Sequence, residues 1–338
     1  MENHRDTIEK IVGLMNTSVS WLVLSHENPD GDTLGCGVAL TRLGTRLSKK
    51  AIHACPDPCP ARYSFLFDGF DLRVPENLPE DFPGPEGVVI CVDTSTSART
   101  FPQVSSRNFM CPLVNIDHHA DNERFGDVVW IEPMASATGE MVTELISESG
   151  WGLRKDEAEA LYTALISDNG GFSFESTTLK SHAVAMTLIE AGVSPNKIAE
   201  ELNSNLSEGI LNLWGRAMVR ATVFADGRCA IFWLTTEDFS QTETTHDATE
   251  NLVNFLLRIK GVKMAALCSE MPGSEGEKRV KASLRALAPF NAREVAVVFG
   301  GGGHNLASGC VFSTGISEVV SLLMKEMTHN VSGFHIDK

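Results

Sequence analysis

The chain has 338 residues, of which 43% are hydrophobic and 21% charged, enough for two globular domains with buried cores. No apolar run approaches the roughly 18–20 residues that cross a membrane, and the first residues lack the apolar core of a secretory signal. We therefore expect a cytoplasmic protein with no membrane partner. The net charge of −16 argues against binding to long duplex nucleic acid.

The charge is unevenly distributed along the chain. Residues 1–210 carry the whole net charge of −16, whereas 258–293 holds eight basic residues against three acidic ones. An acidic first part with a basic segment in the second can pair a metal site with a phosphate-holding surface. Scattered, solvated charge explains the same numbers, so the distribution alone does not decide between the two.

The eight cysteines are expected to be reduced and structural. Most lie in or beside apolar strand-like segments, where cysteine is usually a small buried hydrophobe. Cys55 and Cys59 form one pair without a second pair, which favours a loop over a zinc site.

Apolar segments alternate with helical patterns in the first part of the chain. The segments that resemble buried strands, each ending in polar residues, are 20–25, 88–92 and 113–116. Helical patterns cover about 34–48, 138–149, 155–167 and 179–191, the last stopping at Gly192. This alternation predicts an α/β fold with a doubly wound, mainly parallel sheet.

A connector of short helical pieces at 192–212 is predicted to separate a first domain, 1–191, from a second, 213–330. In the second domain, strand patterns fall at 219–224, 230–234, 264–269 and 280–284, with a helix at about 248–259. They indicate a smaller α/β domain with a mixed sheet, and the active site is expected in the cleft between the domains. A loose tail is expected from about residue 329.

Four clusters of acidic residues and histidines fall where predicted strands or helices end, at 25–32, 92–95, 115–119 and 167–172. In the first, a tight turn at Asp30-Gly31-Asp32 would aim two carboxylates into one crevice. Ligand sites in open α/β sheets form beyond the carboxyl ends of the strands. Singly, each cluster also fits a turn, a helix cap or a core histidine, but their joint occurrence predicts one site.

Convergence would gather four carboxylates and two imidazoles, from Asp30, Asp32, Asp93, Asp168, His26 and His118. Clustered carboxylates repel one another and are costly to hold ionised unless cations lie among them. The donor types suit two Mn²⁺ ions, with Mg²⁺, Co²⁺ or Zn²⁺ as alternatives. Two metal ions about 3.5–4 Å apart can activate water and stabilise the attacking and leaving oxygens of phosphoryl chemistry.

At these residues the sequence resembles the DHH phosphoesterase superfamily. The matching motifs are His-x-Asn-Pro-Asp-Gly-Asp at 26–32, Asp93, Asp-His-His at 117–119, and Asp168 followed by glycine and phenylalanine. Ser-Leu-Arg at 283–285 and the glycine-rich stretch with histidine at 300–304 resemble the DHH-associated C-terminal domain of bacterial nanoRNases. The resemblance spans nearly the whole chain.

The resemblance implies a role for each of these residues. One metal ion would be held by His26, Asp30 and Asp93, and the other by Asp32, Asp93, His118 and Asp168. The remaining assignments are His119 facing the substrate phosphate, Asp117 supporting the histidine pair, and Arg285, Gly301, Gly302, Gly303 and His304 gripping the far end of the nucleotide. Glycine lets backbone N–H groups approach phosphate oxygens, and arginine offers a planar fork.

The implied activity is hydrolysis of RNA or DNA fragments of about two to five nucleotides to mononucleotides, alongside dephosphorylation of 3′-phosphoadenosine 5′-phosphate. A phosphodiesterase for cyclic or linear dinucleotides such as pApA and pGpG is an alternative. An alternative from another class is a non-catalytic nucleotide-binding regulator. The partners expected are short oligonucleotides or small phosphorylated nucleotides, and a homodimer is left open.

Overall fold

The computed structural model describes residues 4–69, 71–74, 77–79, 81–100, 109–203, 206–271 and 278–332. The chain divides into two units, Met1–Asn205 and Leu206–Lys338, and this boundary falls inside the predicted connector. Each unit has its own hydrophobic clusters.

The first unit is built on a parallel five-stranded sheet. Its strands are β1 (Ser20–Leu24), β2 (Lys50–Ala54), β3 (Gly87–Val92), β4 (Leu113–Asp117) and β5 (Val128–Ile131). They lie in the order β2-β1-β3-β4-β5, so the three predicted strands are the central ones. The edge strands β2 and β5 are partly exposed, and sequence reasoning misses both. Lys50–Ala54 has a mixed pattern, whereas Val128–Ile131 is apolar but only four residues long.

Helices precede and connect these strands. They are α1 (His4–Thr17), α2 (Gly31–Arg46), α3 (Ser97–Thr100), α4 (Thr138–Ser149), α5 (Lys155–Asp168), α6 (Leu179–Glu190) and α7 (Pro195–Asn203), with a 3-10 helix at Ala61–Phe67. The four predicted helices are confirmed as α2, α4, α5 and α6. Their apolar residues join one face of the sheet in a large buried cluster.

Glycines allow α2, α4 and α5 to approach closely. A Cβ atom added at Gly35 of α2 would lie 2.4 Å from the carbonyl oxygen of Ala160 in α5. A Cβ atom added at Gly139 of α4 would lie 2.8 Å from the Cβ of Ala164 in α5. Because real Cβ atoms do not approach backbone this closely, these glycines set the distance between the three helices. The starts of α2 and α4 therefore come near the end of α5.

The second unit contains a mixed six-stranded sheet. Its strands are β6 (Thr222–Phe224), β7 (Cys229–Leu234), β8 (Met264–Met271), β9 (Arg279–Ala286), β10 (Gly302–Gly303) and β11 (Ala307–Phe312), in the order β10-β11-β9-β8-β7-β6. Only β7 and β8 pair in parallel. The helices are α8 (Glu208–Val219), α9 (Thr236–Gln241), α10 (Ala292–Val298) and α11 (Ile316–Ser332), with 3-10 helices at His246–Thr249 and Leu252–Arg258.

Three details of the second domain differ from the sequence prediction. The strand expected at 219–224 begins only at Thr222, because Val219 is still the last residue of α8. The helix expected at 248–259 is two 3-10 helices, interrupted by Asn251 with a left-handed backbone (φ 60°). The sequence predicts a loose tail from about residue 329. That prediction is wrong for residues 329–332, because α11 extends to Ser332 and Val331 is fully buried in the hydrophobic core of the second unit.

All eight cysteines are free thiols, and all except Cys59 are buried. Among the described residues, no helix combines the length and the apolar character that a membrane span requires.

Candidate metal centre

Polar side chains from the ends of several strands and helices converge in the first unit. They are His26, Asp30, Asp32, Asp93, Asp117, His118, His119 and Asp168. Three overlapping groups of these residues have ligand-type atoms within 4.8 Å of one another: His26, Asp30 and Asp93; Asp32, His118 and Asp168; and Asp93, His118 and His119. The cluster lies beyond the carboxyl ends of β1, β3 and β4, where open α/β sheets place their ligands.

The segment expected to form a tight turn at Asp30-Gly31-Asp32 is the beginning of a helix. Asp30 caps α2 from an extended backbone, and its Oδ1 accepts the N–H groups of Asp32 (3.0 Å) and Thr33 (3.2 Å). Aspartate is a strong N-cap because it satisfies backbone donors that a helix leaves unpaired. The predicted turn is therefore wrong, although both carboxylates still reach the cluster.

Asp32 is fully buried and is held by the start of α4. Its Oδ2 accepts the N–H of Thr138 at 2.6 Å and its Oδ1 accepts that of Gly139 at 2.9 Å. The first N–H groups of a helix are unpaired and carry partial positive charge, so they stabilise a carboxylate. The Thr138 hydroxyl also donates to Asp93 Oδ1 at 3.2 Å. Sequence reasoning misses Thr138, although its place at the start of a predicted helix is a usable signal.

Asp93 belongs to two of these three groups and contacts a histidine of each. Its Oδ2 is 3.5 Å from His26 Nε2, and its Oδ1 is 3.6 Å from His118 Nε2. The side chain is only 2% exposed, so both oxygens are directed into the cluster. The backbone φ of 55° is left-handed, a conformation that aspartate and asparagine adopt more readily than most residues. The two oxygens face different histidines, as a bridging carboxylate requires.

Backbone carbonyls orient the two histidines. His26 Nδ1 lies 2.7 Å from the Glu27 carbonyl oxygen, and His118 Nδ1 lies 3.1 Å from that of Ala135. Because a carbonyl oxygen only accepts, each Nδ1 must carry the hydrogen. In the neutral ring, each Nε2 then presents its lone pair to the cluster, and His118 Nε2 is 3.2 Å from Asp168 Oδ2. Metal-binding histidines are commonly fixed in this way.

His119 is held by Asp117. Its Nδ1 lies 2.6 Å from Asp117 Oδ1, and its backbone N–H donates to the same oxygen at 3.2 Å. Asp117 is fully buried, and its Oδ2 accepts the side-chain amide of Asn122 at 2.6 Å. Asn122 also donates to the Thr94 carbonyl oxygen, so it ties the β4 motif to the end of β3. Sequence reasoning misses Asn122, which lies in a polar stretch without a motif of its own.

Burial perturbs the acidic groups of the cluster. Loss of hydration raises the pKa of Asp32 well above its ordinary value, and the neighbouring carboxylates raise it further. Desolvation also raises the pKa of Asp168 to about 7, despite the opposing effect of His118. Asp93 is desolvated too, but its hydrogen bond to His26 and the histidine charges hold its pKa below the ordinary range. The surroundings therefore favour the protonated form of Asp32 and Asp168 but not of Asp93.

These residues fit a pair of divalent cations. The group of His26, Asp30 and Asp93 adjoins the group of Asp32, His118 and Asp168. Mixed carboxylate and imidazole ligands of this kind suit Mn²⁺ and related ions. Two such ions would bring four positive charges, which match the four ligand aspartates and offset the cost of burying them.

Replacing Asp168 with asparagine tests this account through stability. Its folded pKa of about 7 exceeds the unfolded value of about 4, so the folded state binds more protons between these pH values. In EDTA, the unfolding free energy of the wild type should therefore decline as pH rises from about 4 to about 7. Asp168→Asn should flatten that decline in urea titrations and reduce the gain in Tm that Mn²⁺ gives at pH 7.5.

The exposed Asp226→Asn variant is the control, because its side chain is 96% exposed. It should keep both the pH dependence and the Mn²⁺ effect. An Asp168→Asn protein that matched the wild type in both measurements would contradict a strained ligand carboxylate at this position.

In the second unit, Arg285 and His304 are brought to the same end of the sheet. Arg285 on β9 pairs with Ala307 on β11, directly after a turn closed by bonds from His304 N–H to Ala307 O (2.8 Å) and from Ala307 N–H to His304 O (3.2 Å). Arg285 Nη1 donates to the Leu284 carbonyl at 3.0 Å. Burial lowers its pKa, and the Glu250 charge opposes that change.

The predicted glycines lead into the same turn. Gly302 and Gly303 form β10 against β11, and Gly303 has a φ of 128°, which strongly favours glycine. A Cβ at Gly301 would lie 2.2 Å from the Gly309 carbonyl oxygen, and one at Gly303 would lie 2.7 Å from that of Ala307. The close approach of β10 to β11 requires these glycines. Their contact with a substrate stays a prediction.

Comparison with known proteins matches both parts of the chain. The family model "DHH family, N-terminal domain" matches residues 20–165, and the model "DHHA1 domain" matches residues 227–332. A crystal structure of an exopolyphosphatase-related protein from Bacteroides fragilis superimposes with a TM-score of 0.88 at 24% identity, covering 96% of both chains. That likeness shows the fold, in which a parallel sheet is followed by a mixed-sheet domain.

Two curated relatives share one name, "Bifunctional oligoribonuclease and PAP phosphatase NrnA". The Bacillus subtilis protein is 28% identical over 288 residues, which cover 84% of this chain and 86% of the relative. The Thermus thermophilus protein is 26% identical over 287 residues, which cover 85% and 82% respectively. With the matched domains and the clustered motif residues, these similarities identify the family. The chain is a DHH-family phosphoesterase, with a DHH N-terminal domain followed by a DHHA1 domain.

Proposed function

We propose that this enzyme hydrolyses phosphodiester bonds in very short oligonucleotides, releasing mononucleotides, and also dephosphorylates 3′-phosphoadenosine 5′-phosphate. The observation that carries the proposal is the closeness of two possible ligand groups, His26, Asp30 and Asp93 on one side and Asp32, His118 and Asp168 on the other. Asp93 Oδ1 lies 3.6 Å from His118 Nε2 and so connects the two groups. The names of the two curated relatives, which align over more than four fifths of this chain, support the substrate class.

In this proposal, His26, Asp30 and Asp93 hold one metal ion. Asp32, Asp93, His118 and Asp168 hold the other. Mn²⁺ is the expected metal, with Mg²⁺ or Co²⁺ as alternatives. When bound, such a pair supplies an activated water and stabilises charge on the attacking and leaving oxygens. The α4 N–H groups on Asp32 and the Thr138 hydroxyl on Asp93 keep these carboxylates in place for both ions.

We assign His119 to the substrate phosphate. Burial lowers its pKa, but the hydrogen bond to Asp117 and the nearby carboxylates raise it to about 9. In the protonated ring, Nδ1–H is directed to Asp117 and Nε2–H can donate to a phosphate oxygen. A charge-assisted bond of this kind strengthens as negative charge develops in the transition state.

The second unit is proposed to bind the distal part of the substrate through Arg285, the glycines 301–303 and His304. A phosphodiesterase for linear or cyclic dinucleotides uses the same chemistry and is the alternative substrate choice. The non-catalytic regulator is less well supported, because the aspartates and histidines proposed as ligands lie in groups whose ligand atoms are within 4.8 Å of one another. The cytoplasmic location and a homodimer stay predictions from the sequence.

A substrate panel tests the proposal directly. It would contain pApA, pGpG, a five-nucleotide RNA, a cyclic dinucleotide, 3′-phosphoadenosine 5′-phosphate and pyrophosphate, each with Mn²⁺, with Mg²⁺ and with EDTA. We expect metal-dependent release of mononucleotides from the linear oligonucleotides and of phosphate from the bisphosphorylated nucleoside. Full activity in verified metal-free protein would overturn the two-metal assignment. Hydrolysis of the cyclic dinucleotide alone would favour the alternative.

Arg285→Ala tests whether the second domain contributes to substrate binding independently of the proposed metal ligands in the first. If Arg285 binds the distal phosphate, kcat/KM for pApA should fall about ten- to a hundredfold, which is the usual value of a charge-assisted contact. Hydrolysis of a chromogenic phosphoester without a distal nucleotide should change little, because the metal ligands are untouched.

The matched control is Arg5→Ala, which removes an arginine whose side chain is 75% exposed on α1. It should leave both substrates unaffected. Equal losses on both substrates in Arg285→Ala would mean that the residue supports the fold and not the substrate.

A further inference from the structure

Strand β9 has one buried face and one open face. Burial alternates strictly along Arg279–Ala286, and every even-numbered residue is buried. The buried face packs in the cluster that contains Ala292 and Val295 of α10 and Val319 and Leu323 of α11. Arg279 and Lys281 are exposed, and Ser283 and Arg285 are half-buried. Strand geometry therefore places these four odd-numbered residues in a row on the open face.

The neighbouring strands leave this row accessible on one side. On β11, the residues paired with Arg285, Ser283 and Lys281 are the short side chains Ala307, Gly309 and Val311. None of the three is buried. On β8, the same face is covered, because Ala265 and Leu267 are buried in the cluster formed with α8 and the 3-10 helix Leu252–Arg258. The row is therefore flanked on one side by residues of β11 that are not buried, and on the other side by β8 and the 3-10 helix Leu252–Arg258.

The positive charges of Arg279 and Lys281 are exposed to solvent. Among the described residues, the Arg279 and Lys281 side chains have no ion pair with an acidic group. The acidic residues that act near the row are Glu250, whose charge affects Arg285, and Asp247, whose charge affects His246 beside Lys281. Because the Arg279 and Lys281 side chains are exposed and form no ion pair within the described part of the chain, their charges can attract an anion.

The spacing of the row matches a polyanion of a particular kind. Successive residues on one face of a strand are about 6.6–6.8 Å apart, so Arg279 and Arg285 are separated by about 20 Å. The spacing of about 6.6–6.8 Å is comparable to the distance between consecutive phosphates in an extended single strand. Positively charged grooves that follow the nucleic-acid backbone are typical of single-strand binding. A duplex does not fit the description, because its phosphates follow a helical path.

We propose that the open face of β9 is a track for consecutive phosphates of a single-stranded oligonucleotide, in the order Arg285, Ser283, Lys281, Arg279. The proposal rests on the proposed function, which already gives the first distal phosphate to Arg285, and extends it to Lys281 and Arg279. A 5′-phosphorylated dinucleotide has one phosphate besides the reacting one, and a pentanucleotide has four. The row thus has one position for each added phosphate up to five nucleotides.

The test measures kcat/KM for 5′-phosphorylated RNAs of two, three, four and five nucleotides with Mn²⁺. Lys281→Ala should lower kcat/KM about three- to tenfold for the tetramer and pentamer and leave the dimer and trimer unchanged. Arg279→Ala should affect only the pentamer. In the double variant Arg279→Ala/Lys281→Ala, the slope of log kcat/KM for the pentamer against log salt concentration should become shallower by about 1.4. That is about 0.7 for each lost phosphate contact.

Lys325→Ala is the matched control, because it removes an exposed lysine from α11 on the other side of the sheet. It should preserve the length profile, and Lys281→Arg should restore that of the wild type. If Lys281→Ala lowered kcat/KM equally for all four RNAs, or for none of them, the proposed phosphate track would be contradicted. The proposed function would not be affected by either result. A wild type that hydrolyses none of the four RNAs would instead remove the proposed function, and the track with it. Thermal melting curves confirm that each variant is folded.

Discussion

Replacing Asp93 with asparagine is expected to remove bound metal and turnover together while leaving the fold intact. Asparagine tolerates the left-handed backbone (φ 55°) and matches the shape of aspartate, so the change isolates the charge. A carboxylate shared by two ions has no substitute within the cluster. The loss of kcat/KM should exceed the roughly 10–100-fold that losing an outer supporting residue costs. Elemental analysis after dialysis should find less than the wild-type metal content.

The control for this variant is again Asp226→Asn, which makes the same chemical change on an almost fully exposed side chain. It should retain wild-type metal content and activity. Two ions retained at wild-type affinity in Asp93→Asn would argue against a bridging role, even if activity were lost.

Replacing Gly35 with alanine should destabilise the first unit and weaken its metal site. The new Cβ would lie 2.4 Å from the Ala160 carbonyl oxygen and 3.0 Å from the Ala164 nitrogen, both backbone atoms that cannot rotate away. Overpacking of this kind costs about 1–3 kcal/mol of unfolding free energy. Because α2 carries Asp32 and α5 ends at Asp168, separating these helices should also reduce the gain in Tm that Mn²⁺ gives.

Gly13→Ala provides a control of opposite sign. Gly13 also lies within a helix, but a Cβ there would meet no atom within 4 Å. Alanine should therefore raise the unfolding free energy by up to about 1 kcal/mol through helix propensity alone. If chemical denaturation gave the same result for both glycine variants, the close packing of α2 on α5 would be contradicted.

Strands that are buried on both faces of the sheet could be predicted from the sequence. Strands without a run of apolar or β-branched residues could not. Central strands such as β1 and β3 are continuous apolar segments, so the sequence indicates them directly. Strand β11 is Ala-Ser-Gly-Cys-Val-Phe, whose small residues carry no strong strand preference. Its pairing with β9 depends on contacts distant in sequence, which local patterns do not report.

The residues of the site were predictable from their motifs, but their geometry was not. Asp-Gly-Asp is compatible with both a turn and a helix start, and only the extended backbone at Asp30 distinguishes the two. Thr138 and Asn122 gain their roles from partners 45 and five residues away, Asp93 and Asp117 respectively.

The placement of the grouped acidic and histidine ligands has an evolutionary consequence. Within the described part of the chain, every such group falls between residues 26 and 168, inside the first unit. Mutations that alter the second unit can therefore accumulate without disturbing the residues proposed to perform hydrolysis. Functions diverge most easily when the reacting groups and the recognition surface lie on different parts of a chain. Paralogues descended from such an ancestor would share their chemistry and differ in what they consume.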